Sequence, residues 1–135
     1  MKKSYTVNHR FISETFFKPD WKIEHLFVGT FNPEGIDNLS YYYSRKKNMF
    51  WRILSDVFKT ELNPDSLDFF EKLKIHRIAC VDLINSVQTN GYDLEKITGK
   101  GFKDSNIINS TVERIYNTQS ILSIIENNDK IKVYS

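Results

Sequence analysis

The sequence has little of several features that would mark a specialised class of protein. It holds 1 cysteine, which excludes a disulfide within the chain. No apolar run approaches the roughly 20 residues of a membrane-spanning helix, and the start, Met1-Lys2-Lys3, leads into polar residues rather than a signal-peptide core. Lysine and arginine exceed aspartate and glutamate by only 19 to 17, so bulk charge does not indicate nucleic-acid binding. We therefore expect a cytoplasmic protein that makes no use of a membrane.

The composition is typical of a folded chain with a hydrophobic core. Hydrophobic residues make up 40% of the 135 residues and aromatic residues 14%, which is too much for a disordered chain. The length suits one domain covering residues 1–135. Cys80 lies inside an apolar run, so we expect a small core residue rather than a catalytic thiol.

Strand-like and helix-like patterns alternate along the chain. Three short apolar runs predict strands at residues 23–31, 77–84 and 131–134. Apolar residues at three- and four-residue spacing predict helices at 48–58, at 64–74 and from 107 to 125. This alternation predicts an α/β fold with parallel pairing through right-handed crossovers and helices on both faces of the sheet.

Two stretches lack a clear period. Residues 2–20 mix aromatic and charged side chains, and we expect a short arm or helix that packs on the main body. Residues 85–101 are polar and contain glycine, which predicts a long loop.

The loop after the first predicted strand is the best candidate for a binding site, because ligands of open α/β sheets bind at the carboxyl ends of strands. It holds Asn32, the fixed turn at Pro33, tyrosines at 41–43 and Asn48. Its basic residues are Arg45, Lys46, Lys47 and Arg52. Aromatic faces, amide groups and cations together are what a flipped nucleobase and its flanking phosphates require.

Two blocks of this chain resemble the uracil-DNA glycosylase superfamily, closest to its mismatch-specific thymine/uracil and hypoxanthine-type branches. The first is Gly29-Thr30-Phe31-Asn32-Pro33, followed by Tyr42-Tyr43 and Asn48-Met49-Phe50-Trp51, which is similar to the first family motif and its adjoining loop. The second is residues 78–86, with Gly91, Asp93 and Ile97 after it, and is similar to the strand and loop that follow the second helix of the hypoxanthine-type branch. The chain has one more residue between Gly29 and Pro33 than the family pattern, and Arg45-Lys46 stand where the family has His-Pro.

The resemblance implies a three-layer α-β-α sandwich around a central, mainly parallel sheet. The full family fold has about four strands, of which about three are expected here. The family's later strand and its loop for the DNA minor groove have no counterpart before Ser135. We therefore expect a glycosylase-like domain that a carboxyl-terminal continuation or a partner chain completes.

The same resemblance implies a monofunctional DNA glycosylase, which hydrolyses the N-glycosidic bond of a deaminated or modified base. Asn32 would position the attacking water, and Asn48 would either read the base or replace Asn32 in that role. The base would be held by Phe31, Tyr42 and Tyr43. Phosphates would be bound by Arg45, Lys46, Lys47 and Arg52. DNA is the implied partner, and no cofactor or metal is expected.

The residues themselves leave other interpretations open. Asn32 suits an ordinary turn before proline, Asn48 suits a helix N-cap, and the basic run suits a solvated surface. Phe50 and Trp51 suit packing of a helix on the sheet, and Asp82 suits a residue that holds a neighbouring loop. For the whole chain the alternatives are a catalytically silent relative that binds nucleic acid or a modified nucleotide within a larger assembly, and an unrelated α/β domain with a small-molecule pocket.

Overall fold

The computed structural model describes residues 4–11, 19–35, 39–45, 47–98 and 102–135. Within these ranges the strands are β1 (Ser4–Asn8), β2 (His25–Gly29), β3 (Ile78–Asp82), β4 (Ile84–Asn90), β5 (Glu113–Tyr116) and β6 (Lys132–Tyr134). The helices are α1 (Phe50–Phe58), α2 (Phe69–His76), α3 (Leu94–Ile97), α4 (Asn106–Ser110) and α5 (Thr118–Glu126). Of the helices in this described part, none combines the length and the apolar character that crossing a bilayer would take.

The described strands form two sheets of three strands each. One sheet is parallel, with the order β3-β2-β6, and the other is antiparallel, with the order β1-β4-β5. In the parallel sheet, Leu26 of β2 lies opposite Ala79 of β3 and Val133 of β6. The predictions of an α/β class and of parallel pairing among the three predicted strands are therefore confirmed.

Strand β3 packs against helices through both of its faces. Ile78 and Cys80 belong to a hydrophobic cluster with residues of α1 and α2. Ala79 and Val81 point the other way, because alternate side chains of a strand face opposite sides, and they pack with residues of α5. Cys80 is fully buried, as predicted, and its burial raises the pKa of the thiol well above its ordinary value.

The antiparallel sheet corrects two predictions. Residues 84–90 were predicted to lie largely in a long loop but form β4. Val87 and Thr89 of this strand are buried, although most of its residues are polar. Strand β1 forms where an arm or helix was expected, because β4 offers it a ladder in which Val7 lies opposite Val87. Residues 12–18 of that arm lie outside the described residues.

The predicted long helix from 107 to 125 is also wrong. The chain forms α4, then β5, then α5. β5 pairs with β4, and the preceding Val112 N–H donates to the Gln88 carbonyl at 2.8 Å. Pairing with β4 overrides the helical spacing of the β-branched residues in this stretch.

Helix α2 begins later than the Pro64-Asp65 signal indicated. It starts at Phe69, and Leu67, which was expected on its buried side, is fully exposed. Phe69 and Leu73 are buried as expected.

Along the chain, the single residue Leu83 separates β3 of the parallel sheet from β4 of the antiparallel sheet. Its backbone N–H still bonds the Gly29 carbonyl at 3.0 Å, and the next N–H, of Ile84, bonds the Thr30 carbonyl at 3.0 Å. Beyond this point the end of β1 approaches the loop after β2, where His9 pairs with Pro33. The carboxyl ends of β1, β2 and β3 are thereby brought together.

Candidate active site

A cavity of about 420 Å³ lies at the carboxyl ends of β2 and β3. Its wall includes the predicted site residues Phe31, Asn32, Tyr43, Arg45 and Asn48. It also includes Arg10, Gly29, Thr30, Asp82, Phe102 and Asp104, among others. The volume falls within the range of about 300–1,000 Å³ that is usual for small-molecule sites.

Asn32 is held in one orientation by Asp82. Its Nδ2 donates to Asp82 Oδ2 at 2.7 Å, and its backbone carbonyl accepts from the Arg10 N–H at 2.9 Å. Because the amide nitrogen is used in this way, Oδ1 is the Asn32 atom that can accept a hydrogen bond from water or a ligand.

His9 is the second donor to the Asp82 carboxylate. The distance from His9 Nε2 to Asp82 Oδ2 is 2.7 Å, and the Phe11 N–H donates to His9 Nδ1 at 3.0 Å. An accepting Nδ1 carries no proton, so Nε2 carries it, and the imidazole is neutral in this geometry. Both side chains are buried, and the contact is a hydrogen bond to a carboxylate rather than an ion pair.

Gly29 leaves the space that the Asp82 carboxylate occupies. A Cβ at this position would lie 2.5 Å from Asp82 Oδ1 and 2.9 Å from the Tyr43 hydroxyl. The backbone of β2 can therefore approach these two groups only without a side chain.

Tyr43 stands on the cavity wall in an uncommon backbone conformation. Its φ is 58°, in the left-handed region, and its ring centroid lies 4.1 Å from that of Phe50. Burial raises the pKa of its hydroxyl, and the nearby Cys80 and Asp82 raise it further. Tyr43 is therefore a neutral aromatic group with its face partly covered by α1.

Tyr42 does not reach the cavity, which corrects its predicted place among base-binding residues. It is fully buried and packs on Phe11, with the ring centroids 5.0 Å apart. Burial raises the pKa of its hydroxyl, and that oxygen has no hydrogen-bond partner in the described part of the chain. Tyr42 therefore belongs to the core behind the wall.

Phe31, which precedes Asn32 in the first motif, is buried and still borders the cavity. Its ring meets that of Phe102 edge to face, at 5.8 Å and 85°. Together they give the cavity a second aromatic surface.

Asn48 lines the cavity and lies two residues before α1. Its Oδ1 accepts from the Phe50 N–H at 2.9 Å, but the N-cap residue of α1 is Met49, so the interpretation of Asn48 as the N-cap is wrong by one residue. The carbonyl end of this amide is thus engaged, and the Nδ2 end is the donor that remains for a ligand.

Only one of the predicted phosphate-binding residues in the described part of the chain borders the cavity. That residue is Arg45; Lys46 lies outside the described residues, and Lys47 is exposed and does not line the cavity. Arg52 lines a neighbouring groove of about 790 Å³, which Arg45 also borders and whose wall carries Asp56, Glu61 and Asp65. These carboxylates oppose anion binding at Arg52.

Several residues of the site were not among the predicted site residues, of which His9, Arg10 and Asp82 matter most. Asp82 was interpreted as a residue that holds a neighbouring loop, but it ends β3, beside the strand that leads to Asn32, so the rule that sites form at strand ends could have found it. His9 and Arg10 gave no signal, because they reach the site only through the unexpected pairing of β1. Arg10 Nε donates to the Pro33 carbonyl at 2.9 Å, which fixes the turn after Asn32.

Among the described residues, no three histidine, cysteine, aspartate or glutamate side chains are grouped as a metal ion would need.

The chain matches no protein-family model, and comparisons with curated proteins and with solved structures found no similar protein.

Proposed function

We propose that this chain is a uracil-DNA glycosylase-like enzyme that acts in the cytoplasm and hydrolyses the N-glycosidic bond of a deaminated or modified base in DNA. The observation that carries the proposal is the meeting of Asn32, Tyr43 and Asn48 on one cavity at the carboxyl ends of parallel strands. The motif resemblance relates these same residues to water positioning, base stacking and base reading.

The contacts on the wall suit these roles. A flipped base would lie between the aromatic surfaces of Tyr43 and Phe31, where stacking on each is worth about 1–3 kcal/mol. Asn48 Nδ2 would donate to the base edge, and Asn32 Oδ1 would hold a water near the sugar. Arg45 would contact a flanking phosphate.

The fold proposed with this function is the three-layer α-β-α sandwich of the family. Its support is the packing of β3, where one set of alternate residues contacts α1 and α2 and the other contacts α5. The sheet β3-β2-β6 would be the central layer, and the antiparallel sheet an addition that brings His9 to the site.

The test is release of free base by the full chain from duplex oligonucleotides that carry uracil, hypoxanthine, xanthine or a mismatch. We expect release from at least one of them, and a loss of about 100-fold or more for Asn32→Ala. The matched control is Asn109→Ala, because this exposed asparagine of α4 donates through Nδ2 to the carbonyl of Ser105, the residue just before the same helix, and does not line the cavity. No release from any substrate, or equal release by the Asn32 and Asn109 variants, contradicts the assignment.

A catalytically silent module that binds nucleic acid or a modified nucleotide is the second candidate. It is favoured by the engagement of Asn48 Oδ1 with α1, since this contact serves the fold whether or not a base is bound. Binding to a uracil-containing duplex without any base release would favour this candidate over the enzyme.

A further inference from the structure

We infer that Asp82 is the catalytic carboxylate of this site, acting on the water and the sugar through Oδ1 while Oδ2 is held by His9 and Asn32. The inference rests on the proposed glycosidase function and adds to it a residue from a strand other than the one that leads to Asn32.

The two oxygens of Asp82 have different surroundings. Oδ2 accepts from His9 Nε2 and Asn32 Nδ2, both at 2.7 Å, so its position is fixed from two directions. Oδ1 lies against Gly29, 2.5 Å from the point where a Gly29 Cβ would stand, and the Tyr43 hydroxyl lies 2.9 Å from the same point. Asp82, Gly29 and Tyr43 all line the cavity. We therefore assign Oδ1 as the carboxylate oxygen that acts from the cavity wall.

An amide alone leaves the reaction without a proton acceptor. Asn32 can orient water, but an asparagine side chain is a poor general base, and the transition state gathers positive charge on the sugar. A carboxylate at the same place meets both needs, because it accepts a proton and attracts the cation. Asp82 is only 1% exposed, so bulk water screens its charge little.

The step is a hydrolysis that needs no further reactant. The water oxygen bonds to the sugar carbon C1′, and one of its protons passes to Asp82 Oδ1. The bond from C1′ to the base nitrogen breaks, and its electron pair leaves with the base. The base then takes a proton from solvent, and Asp82 returns its own proton to solvent.

The decisive variant is Asp82→Asn in the full chain, with uracil in a duplex oligonucleotide as substrate. The replacement has nearly the same shape, and an asparagine carbonyl in the place of Oδ2 still accepts from His9 and Asn32, so we expect a folded protein. Release should fall about 100-fold or more. Binding to a duplex with non-cleavable 2′-fluoro-deoxyuridine should stay within about threefold of wild type, because the reacting carboxylate contributes little to ground-state binding.

The control is Asp129→Asn, which makes the same chemical change at an exposed position after α5. Release by the Asp82 variant at the level of this control overturns the inference while leaving the glycosidase proposal intact. An absence of release by wild type with every damaged base overturns both.

A measurement on the wild-type chain covers the case in which the Asp82 variant does not fold. A carboxylate that must be ionised predicts that the release rate falls by about tenfold per pH unit once the solution is acid enough to protonate it. The titratable groups around Asp82 are His9, Tyr41, Tyr42, Tyr43, Cys80 and Asp104, with Arg10 and Arg45 as cations on the cavity wall.

The fall in rate at acid pH could also come from His9, which contacts Asp82. The variant His9→Gln distinguishes an effect of His9 from an effect of Asp82. Glutamine keeps a donor toward Asp82 but does not titrate, so the variant should retain the fall in rate at acid pH. A rate that does not decrease on acidification while the protein remains folded, or an acid response that disappears in His9→Gln, overturns the role of Asp82.

Discussion

Gly29 sets the spacing of the candidate site, because the Asp82 carboxylate and the Tyr43 hydroxyl both lie where its side chain would be. The carboxylate is held from its other side by His9 and Asn32, so it has little freedom to retreat. One methyl group added at position 29 would therefore displace the Asp82 carboxylate or the Tyr43 hydroxyl.

We predict that Gly29→Ala destabilises the fold by about 1–3 kcal/mol, as expected for overpacking of a tightly packed interior. The free energy of unfolding in urea measures the loss. The matched control is Gly91→Ala, whose new Cβ would meet only the edge of the Tyr5 ring, at 3.1 Å. Equal stability of the two variants would show that Asp82 and Tyr43 do not constrain position 29.

The buried tyrosines predict a loss of stability in alkali. Burial is the main cause that raises the pKa of Tyr41 and Tyr42 above the ordinary value of 10.0. The unfolded chain therefore loses these protons first as the pH rises, which favours unfolding. We expect the unfolding free energy to be unaffected by these groups below about pH 10, and to fall above it by about 1.4 kcal/mol per pH unit for each tyrosine.

Urea unfolding at several alkaline pH values, for wild type and Tyr42→Phe, measures this effect. The variant should show the smaller alkaline slope, because one raised group has been removed. At neutral pH it should be as stable as wild type or more so, since the lost hydroxyl has no hydrogen-bond partner in the described part of the chain. Identical slopes would contradict the burial of Tyr42.

Among the individual residues of the site, only some could be identified from the sequence. Asn32 and Asn48 were singled out from their place after a strand and before a helix, and the structure brings both to the cavity. His9 could not be found in this way, because its contact with Asp82 spans 73 positions of the chain and depends on a strand without a clear pattern. Tyr42 was misplaced because neighbouring tyrosines on a turn give no sign of which one points to the core.

Helix α1 connects the hydrophobic core to the loop that carries Tyr43. Trp51 is buried, and its indole N–H donates to the Tyr42 carbonyl at 2.7 Å. Its ring also meets Phe69 of α2 edge to face, at 4.9 Å. The hydrogen bond thus ties the tyrosine loop to α1, and the contact with Phe69 ties α1 to α2.

We expect Trp51→Phe to destabilise the protein by about 1–3 kcal/mol, because it leaves the Tyr42 carbonyl without its donor and removes ring volume from the core. Chemical unfolding measures this change. Ile53→Ala is the control from the same helix, because Ile53 is 58% exposed and a surface substitution should cost less than about 0.5 kcal/mol. A Trp51 variant as stable as the Ile53 variant would mean that the indole contact does not hold the loop.

The helices and strands that the sequence predicted correctly are those whose apolar residues are the ones buried in the structure. β2, β3 and α1 have this property, and each was located within a few residues. β4 and β5 were missed because their stability comes from pairing with distant strands rather than from a local pattern.

The whole molecule carries a small net charge of +2, so any affinity for DNA has to come from local cations. Arg45 borders the cavity as well as the neighbouring groove, whereas Arg52 lines that groove, whose wall carries three carboxylates. We predict that Arg45→Gln reduces the slope of log affinity against log salt by about 0.9, the value for one phosphate contact on duplex DNA. Arg52→Gln should leave the slope unchanged.

Binding titrations with a uracil-containing duplex over a series of salt concentrations measure these slopes. Lys130→Gln is the control, since it removes one exposed positive charge beyond α5. The same slope for the Arg45 and Lys130 variants would remove Arg45 from the DNA interface.

The most direct test of the proposed function is the single-turnover rate of uracil release from duplex DNA by the full chain and by Asn32→Ala. We predict release by wild type and a rate lower by about 100-fold or more in the variant, with the Asn109→Ala control close to wild type. Wild-type protein that is folded, binds the duplex and releases no base, or an Asn32 variant as fast as wild type, would contradict it.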